Sequence, residues 1–308
     1  MESVRIRPLD ILNESQLSEI RQKNDLRNIF ALMFDWGLMV LGLYVFYHYP
    51  SVLTFLASIV IIGSRQFALA VLAHDGAHNL LFSNSKINDF VSQWFCAYPI
   101  FQDNRVYRPY HLKHHRFTET EDDPDLVLSA PFPINKKSFF RKVIRDLTGI
   151  TGYKRYSSSL ISIFQTEAEN FPDKVSRIWN KIHGFFIVNF IVFILISIFF
   201  HWSLFFLLWW LPAFTYYSLI IRIRNIAEHC VTPGESDFDK TRTTKASLII
   251  RFLLAPHRVN YHLEHHLFMM CPWYNLPKAH LMMLENGYKD KMCLEDSYRS
   301  VLSKAVSA

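Results

Sequence analysis

Charge is scarce in this chain where apolar residues are densest. From Ile29 to Tyr49 the one fully charged side chain is Asp35, from Val52 to Ala73 it is Arg65, and from Phe185 to Ile221 there is none. Half of the 308 residues are hydrophobic and 16% are aromatic, and they gather in blocks, which excludes an ordinary soluble α/β enzyme. Cysteine is also sparse. Cys96, Cys230, Cys271 and Cys293 show no paired-motif spacing, so no disulfide framework is indicated and they read as small buried apolar residues. There is no internal repeat and no low-complexity segment, and the expectation is a single domain over residues 1–308. The residues before Ile29 are charged and polar, so no cleavable signal is expected. A net charge of +6 needs no nucleic-acid partner, because a basic surface beside anionic lipid accounts for it.

The uncharged blocks have membrane dimensions. A helix rising about 1.5 Å per residue crosses about 30 Å of hydrocarbon in some 20 residues. This predicts spans over about 29–49 and 52–73, separated by the break at Pro50 and Ser51. The block 185–221 corresponds to about 55 Å of helix and is long enough to cross once or twice. Residues 88–101, with Trp94, Tyr98 and Pro99, are too short to span and predict an interfacial or re-entrant helix. Turn signals and charge mark 102–184 and 223–308 as a helical cap.

Histidine is the residue that is abundant. Nine of the fourteen fall in four places: His74 and His78; His111, His114 and His115; His229; and His262, His265 and His266. Spacings of three and four put imidazoles on one helix face about one turn apart, where they can share a metal ion. Taken alone, His74 and His78 could be interfacial histidines bonded to lipid head groups. The triplets carry more weight, because the same pattern recurs about 150 residues later. Nine imidazoles exceed what one ion can use, which favours two ions. A shared site then requires all nine on one side of the membrane, so the long block must cross twice, over about 185–201 and 203–222, with a turn near His201 and Trp202. The expected fold is all-α and integral to the membrane, with four transmembrane helices in two hairpins. The Lys- and Arg-rich segments put the termini and the histidines on the cytoplasmic face.

At these residues the chain resembles the membrane fatty acid desaturase superfamily. His74-Asp-Gly-Ala-His78, His111-Leu-Lys-His-His115 and His262-Leu-Glu-His-His266 resemble its three histidine boxes, and Arg116–Leu126 (RFTETEDDPDL) and Asn260-Tyr261 resemble acyl-lipid desaturases; the likeness covers about residues 30–280. In that family a further histidine, with an asparagine four residues before it, completes the metal shell. Asn225 and His229 match this arrangement, which implies that Asn225 acts through a water molecule. The resemblance implies a multi-pass protein of a bacterial inner membrane.

All-imidazole ligation suits Fe(II), leaving positions for O₂, whereas zinc could bind but not deliver electrons. Two irons, O₂ and outside electrons would oxidise an unactivated methylene. The leading expectation is a non-haem di-iron oxidoreductase that puts a double bond into a lipid acyl chain. The alternative is hydroxylation or ketolation of a hydrocarbon or lipid at the same site. A metal carrier or haem protein fits less well, because those ligands belong at mid-membrane depth. Asp75, Glu119, Asp122, Asp123, Asp125, Glu228 and Glu264 are candidates to orient the imidazoles. Asp35, Arg65, Arg222 and Arg224 are the charges in or beside spans, and Arg222 and Arg224 either snorkel or hold a head group. The substrate is expected from the bilayer. With no haem-binding module flanking the core, the electron donor is expected to be a separate ferredoxin or cytochrome, and Lys136, Lys137, Arg141, Lys142 and Arg145 either dock such an acidic carrier or contact lipid head groups.

Overall fold

The computed structural model describes residues 6–234 and 236–307. These are mostly helical. α1 (Glu14–Ile20) precedes α2 (Asp25–His48), and a short turn leads into α3 (Val52–Ala77). The turn forms at Pro50, as the sequence predicts. Ser51 Oγ accepts from the Thr54 backbone N–H at 3.1 Å and Thr54 Oγ1 accepts from the Ser51 N–H at 3.0 Å, so both donors at the start of α3 are satisfied. α2 and α3 pack along much of their length, with Ser58 Oγ donating to the Gly42 carbonyl at 2.8 Å. The two lone charges of these helices meet in the packing. Asp35 and Arg65 form a 3.0 Å ion pair with both side chains buried, which is how a charge persists in an apolar run.

α3 continues past residue 73 through His74 and Asp75, and His78 is its C-cap. The segment expected as one interfacial helix divides into α4 (Ser85–Val91), a π-turn (Ser92–Ala97) and a 3₁₀ turn (Tyr98–Ile100). In its second half Cys96, Ala97, Tyr98 and Ile100 are buried, with Cys96 and Ala97 packed among Leu72, Ala73 and Leu81. Pro99, which cannot donate a backbone hydrogen bond, sits where the helix tightens.

α5 (Asn104–Phe117), α6 (Leu126–Ser129), α7 (Lys136–Leu147) and α8 (Ile150–Phe164) follow, and then α9 (Phe171–Phe199). α9 begins well before the expected residue 185, because Asn170 caps it and its first turns carry Asp173, Lys174, Arg177 and Lys181. The break near His201 and Trp202 is present, after which a π-turn (Phe205–Trp210), α10 (Leu211–Phe214) and α11 (Tyr216–His229) make one 25-residue apolar run. Pro212 accounts for its irregular start. Next come β1 (Thr243–Thr244), α12 (Leu248–Leu253), α13 (His262–Leu267), α14 (Leu276–Glu285), β2 (Leu294–Glu295) and α15 (Tyr298–Ala305), with β1 and β2 parallel.

Among the described residues, four helical runs are long and apolar enough to cross a membrane: Glu14–His48, Val52–Ala77, Phe171–Phe199 and Phe205–His229. Met39, Ile62, Leu69, Val192, Leu208 and Trp209 form the core between them. Phe30, Met33 and Phe34 of α2 and Phe186, Phe190 and Ile198 of α9 are exposed outward, a surface suited to hydrocarbon and not to water. A second core, including Leu12, Leu17, Leu263, Leu267 and Met283, clamps α13 between α1 and α14. The third histidine cluster is therefore seated on packed helices.

The tightest contact near those histidines is at Gly76, where an added Cβ would fall 2.2 Å from Ser92 Cβ. Gly76→Ala is expected to cost about 1–3 kcal/mol by overpacking and to lower the melting temperature of the detergent-solubilised protein by several degrees.

Candidate metal centre

The nine histidines arrive on four elements, α3, α5, α11 and α13. The end of α3 leaves backbone carbonyls without helical partners, and side chains from two neighbours take them up. Asn88 Nδ2 donates to the Gly76 carbonyl at 2.9 Å, Asn104 Nδ2 to that of Ala73 at 2.7 Å, and Arg108 to those of Ala77 and Gly76 at 2.9 and 3.0 Å. These bonds lock α5 across the end of α3, so that His111 comes to lie 4.4 Å from His74, ring centre to ring centre. Sequence reasoning missed all three anchors. Their signal, polar side chains that become buried against a helix end, is visible only once the partner helix is placed.

The nine predicted histidines all converge, and they form two groups. His74, His78, His111, His115 and His265 make one, with their ligand atoms within 4.8 Å of one another. His114, His229, His262 and His266 make the other. The i, i+4 pair of each triplet goes to one group and the remaining histidine to the other. On α5 the pair His111 and His115 joins the first group and His114 the second. On α13 the pair His262 and His266 joins the second group and His265 the first. Each triplet thus ties the two groups together.

Ring nitrogens approach closely within this cluster. Nε2–Nε2 distances are 2.9 Å for His111–His115, His115–His265 and His229–His262, and 3.1 Å for His262–His266. Two outer contacts fix which nitrogen carries the proton. The Asp123 carboxylate can only accept, so His114 Nδ1, 2.8 Å from Asp123 Oδ1, is the donor. Thr118 Oγ1 spends its own proton on the His114 carbonyl at 2.8 Å and faces His266 Nδ1 at 3.3 Å as an acceptor. His114 and His266 therefore present bare Nε2 lone pairs inward. His78 Nε2 is buried and has no hydrogen-bond partner.

Burial keeps the rings neutral. It pushes His78 down to about 3, and it pushes His111, His115, His262, His265 and His266 well below the usual imidazole range. Where both facing nitrogens are bare they repel unless a cation is shared by the pair, and a tautomer with its proton on Nδ1 leaves Nε2 bare for that purpose. Metal–imidazole bonds of about 2.1 Å at right angles would set adjacent nitrogens about 3.0 Å apart, so the donor set and its spacing fit two metal ions.

The candidate orienting acids divide. Asp123 contacts His114; burial works to raise its pKa, but the hydrogen bonds it accepts from His114 and from the Asp125 and Glu119 backbone N–H groups outweigh it and hold the carboxyl below its usual range. Asp125 lies 3.7 Å from the same ring nitrogen, Glu228 3.4 Å from His262 Nδ1, Asp75 3.5 Å from His74 Nδ1, and Glu119 3.6 Å from His229 Nδ1. Glu264 points elsewhere, to His280 at 2.6 Å and to Thr243. Asp122 is exposed. Arg222 and Arg224 do not snorkel: the first pairs with buried Asp146 and the second with Glu228, one turn along α11. Asn225 lies one turn before His229, with its Oδ1 3.8 Å from Cys230 Sγ.

A cavity of about 160 Å³ opens against the cluster. Its apolar wall is Phe67, Ala70 and Val71 of α3 with Tyr217 and Ile221 of α11, and its inner end is His74, His262 and His265. On another side a recess of about 820 Å³ reaches His115 and His266 and carries Arg7, Arg21 and Arg116.

Comparison with known proteins agrees with this geometry. A family model described as fatty acid desaturase matches residues 50–293, which takes in all nine histidines. Dihydrorhizobitoxine desaturase of Bradyrhizobium elkanii is 28% identical over 249 residues, covering 75% of this chain and 68% of that protein.

Metal analysis of the purified protein is expected to give two ions per chain, falling to about one in His262→Ala. Asp123→Asn should retain the rings but weaken metal retention against a chelator about 10–100-fold, the usual effect of removing an orienting partner.

Proposed function

Because the chain belongs to the fatty acid desaturase family, we propose that it is an O₂-dependent di-iron oxidoreductase that introduces a double bond into a lipid acyl chain. The observation that carries this reading is the division of nine buried or half-buried imidazoles into adjoining groups of five and four. His74, His78, His111, His115 and His265 would hold one iron, and His114, His229, His262 and His266 the other, with Asn225 acting through a water molecule. When bound, the two irons supply the means to reduce O₂ and so to remove hydrogen from an unactivated methylene. The overall balance is one –CH₂–CH₂– unit, one O₂, two electrons and two protons giving one –CH=CH– unit and two waters.

The protein's own part is placement and insulation. Phe67, Val71 and Ile221 give the cavity an apolar wall that excludes water and selects a hydrocarbon segment. Histidines of both groups face that cavity, so a methylene lying in it is presented to both metals, at the distances on which oxidation outcome depends. Asp123 and Thr118 hold the His114 and His266 tautomers that leave Nε2 free. In this reading the four apolar helices cross a bacterial inner membrane as two hairpins, with the centre on the cytoplasmic face.

Electrons come from a separate acidic ferredoxin or cytochrome. The recess beside Arg7, Arg21 and Arg116 supports docking there in preference to Lys136–Arg145, because it alone of the two reaches ligand rings, His115 and His266. Arg21→Glu with Arg116→Glu is expected to raise the half-saturating donor concentration and flatten its salt dependence, with little effect on kcat once donor is saturating.

Lipid profiling of a null strain and an overexpressing strain tests the reaction itself, with His262→Ala as the inactive control. The expected result is acyl chains lighter by two hydrogens, present only with the intact protein. Unchanged acyl chains, or chains carrying an added oxygen, would count against it, the latter in favour of hydroxylation or ketolation.

A further inference from the structure

A second groove, of about 990 Å³, opens between the first turns of α2 and the α12 region. Phe30, Phe34 and Phe252 give it an apolar floor, and Arg27, Arg251 and Arg258 line it. No carboxylate lines it. Arg65 also reaches it but is neutralised by Asp35. Arg251 and Arg258 have no acidic partner among the described residues, and Arg251 Nε is buried without a hydrogen-bond partner. Arg27 lies over the Tyr274 ring, 5.2 Å from its centre. An apolar floor under unpaired guanidinium groups recognises a hydrocarbon chain with an anionic head.

The groove and the cavity at the metal centre share two lining residues, His257 and Trp273. Their rings lie 4.7 Å apart and form the wall between the two spaces. Trp273 is the fixed half, donating from its indole to Asn28 at 2.8 Å and from its backbone to Asp75, beside His74, at 3.0 Å. His257 is held by one side-chain hydrogen bond, to Asp35 at 2.7 Å. It and Arg258 occupy left-handed backbone conformations, with φ of 49° and 58°, which non-glycine residues adopt only when their surroundings hold them there.

We propose that this groove is the lateral entrance for an acyl chain bearing an anionic head, with the head on Arg251 and Arg258 and the chain passing the His257–Trp273 wall to reach the cavity. The proposal rests on the reading above that the cavity receives an acyl chain, and it names the substrate class: a phosphate or carboxylate head, not a neutral lipid.

Photolabelling of the full-length, metal-loaded protein in nanodiscs tests it without requiring turnover. Three probes carry the same diazirine acyl chain, as a phosphatidylglycerol, a free fatty acid and a diacylglycerol, and labelled peptides are mapped by mass spectrometry. The expected result is labelling of the Phe67–Val71 or Tyr217–Ile221 segments by one or both anionic probes, falling at least tenfold in R251Q/R258Q and kept in R251K/R258K. Whichever anionic probe labels identifies the head. Equal labelling by diacylglycerol, labelling unaffected by R251Q/R258Q, loss in the lysine variant too, or no labelling of these segments would overturn the proposal. Labelling without any double bond formed would keep the entrance and reject the reaction, while a double bond formed without labelling would do the reverse.

Discussion

Imidazole nitrogens are brought face to face in a water-poor interior, several pairs of them at 2.9–3.1 Å, and wherever both nitrogens are bare they repel one another. A cation between them turns that repulsion into ligation. Much of the surrounding structure serves to keep these nitrogens together. The helices that carry them are fixed from outside by bonds that do not involve the rings, so the geometry does not depend on one contact.

Two kinds of fixing are visible. Near the apolar core, ordinary packing and one buried ion pair, Asp35 with Arg65, align α2 and α3. At the polar ends, side-chain donors from Asn88, Asn104 and Arg108 occupy the open carbonyls of α3, and the core around Leu263 and Leu267 seats α13. The exchange of one histidine from each triplet into the opposite group couples α5 to α13. A shift of either helix would therefore disturb both candidate metal positions at once.

Much of this was legible in the sequence, because it rests on periodicity. Apolar blocks reported four long helices, and three- and four-residue spacings reported which imidazoles share a face. The turn at Pro50 and the break near His201 follow from local chemistry and are found where expected. Helix ends were less legible: α3 and α11 run on to carry His74 and His229, because a helix need not stop where hydropathy falls. The division of 88–101 into a helix and two tighter turns, and the burial of its second half, were not legible, since that burial comes from partners distant in sequence. Glu264 looked equivalent to Glu228 as an acid inside or beside a histidine motif, yet only tertiary placement turns one toward His262 and the other toward His280. Thr118, which faces His266, gave no sequence signal at all.

The central claim is that nine imidazoles from four segments hold two irons together. X-ray absorption at the iron edge of the purified, anaerobically prepared protein tests it most directly, read with the iron count per chain. The account predicts two irons per chain, nitrogen and oxygen neighbours only, and the outer-shell scattering of several imidazoles on each. A haem spectrum, sulfur in the first shell, or a fully folded protein whose purified form binds no iron would contradict it.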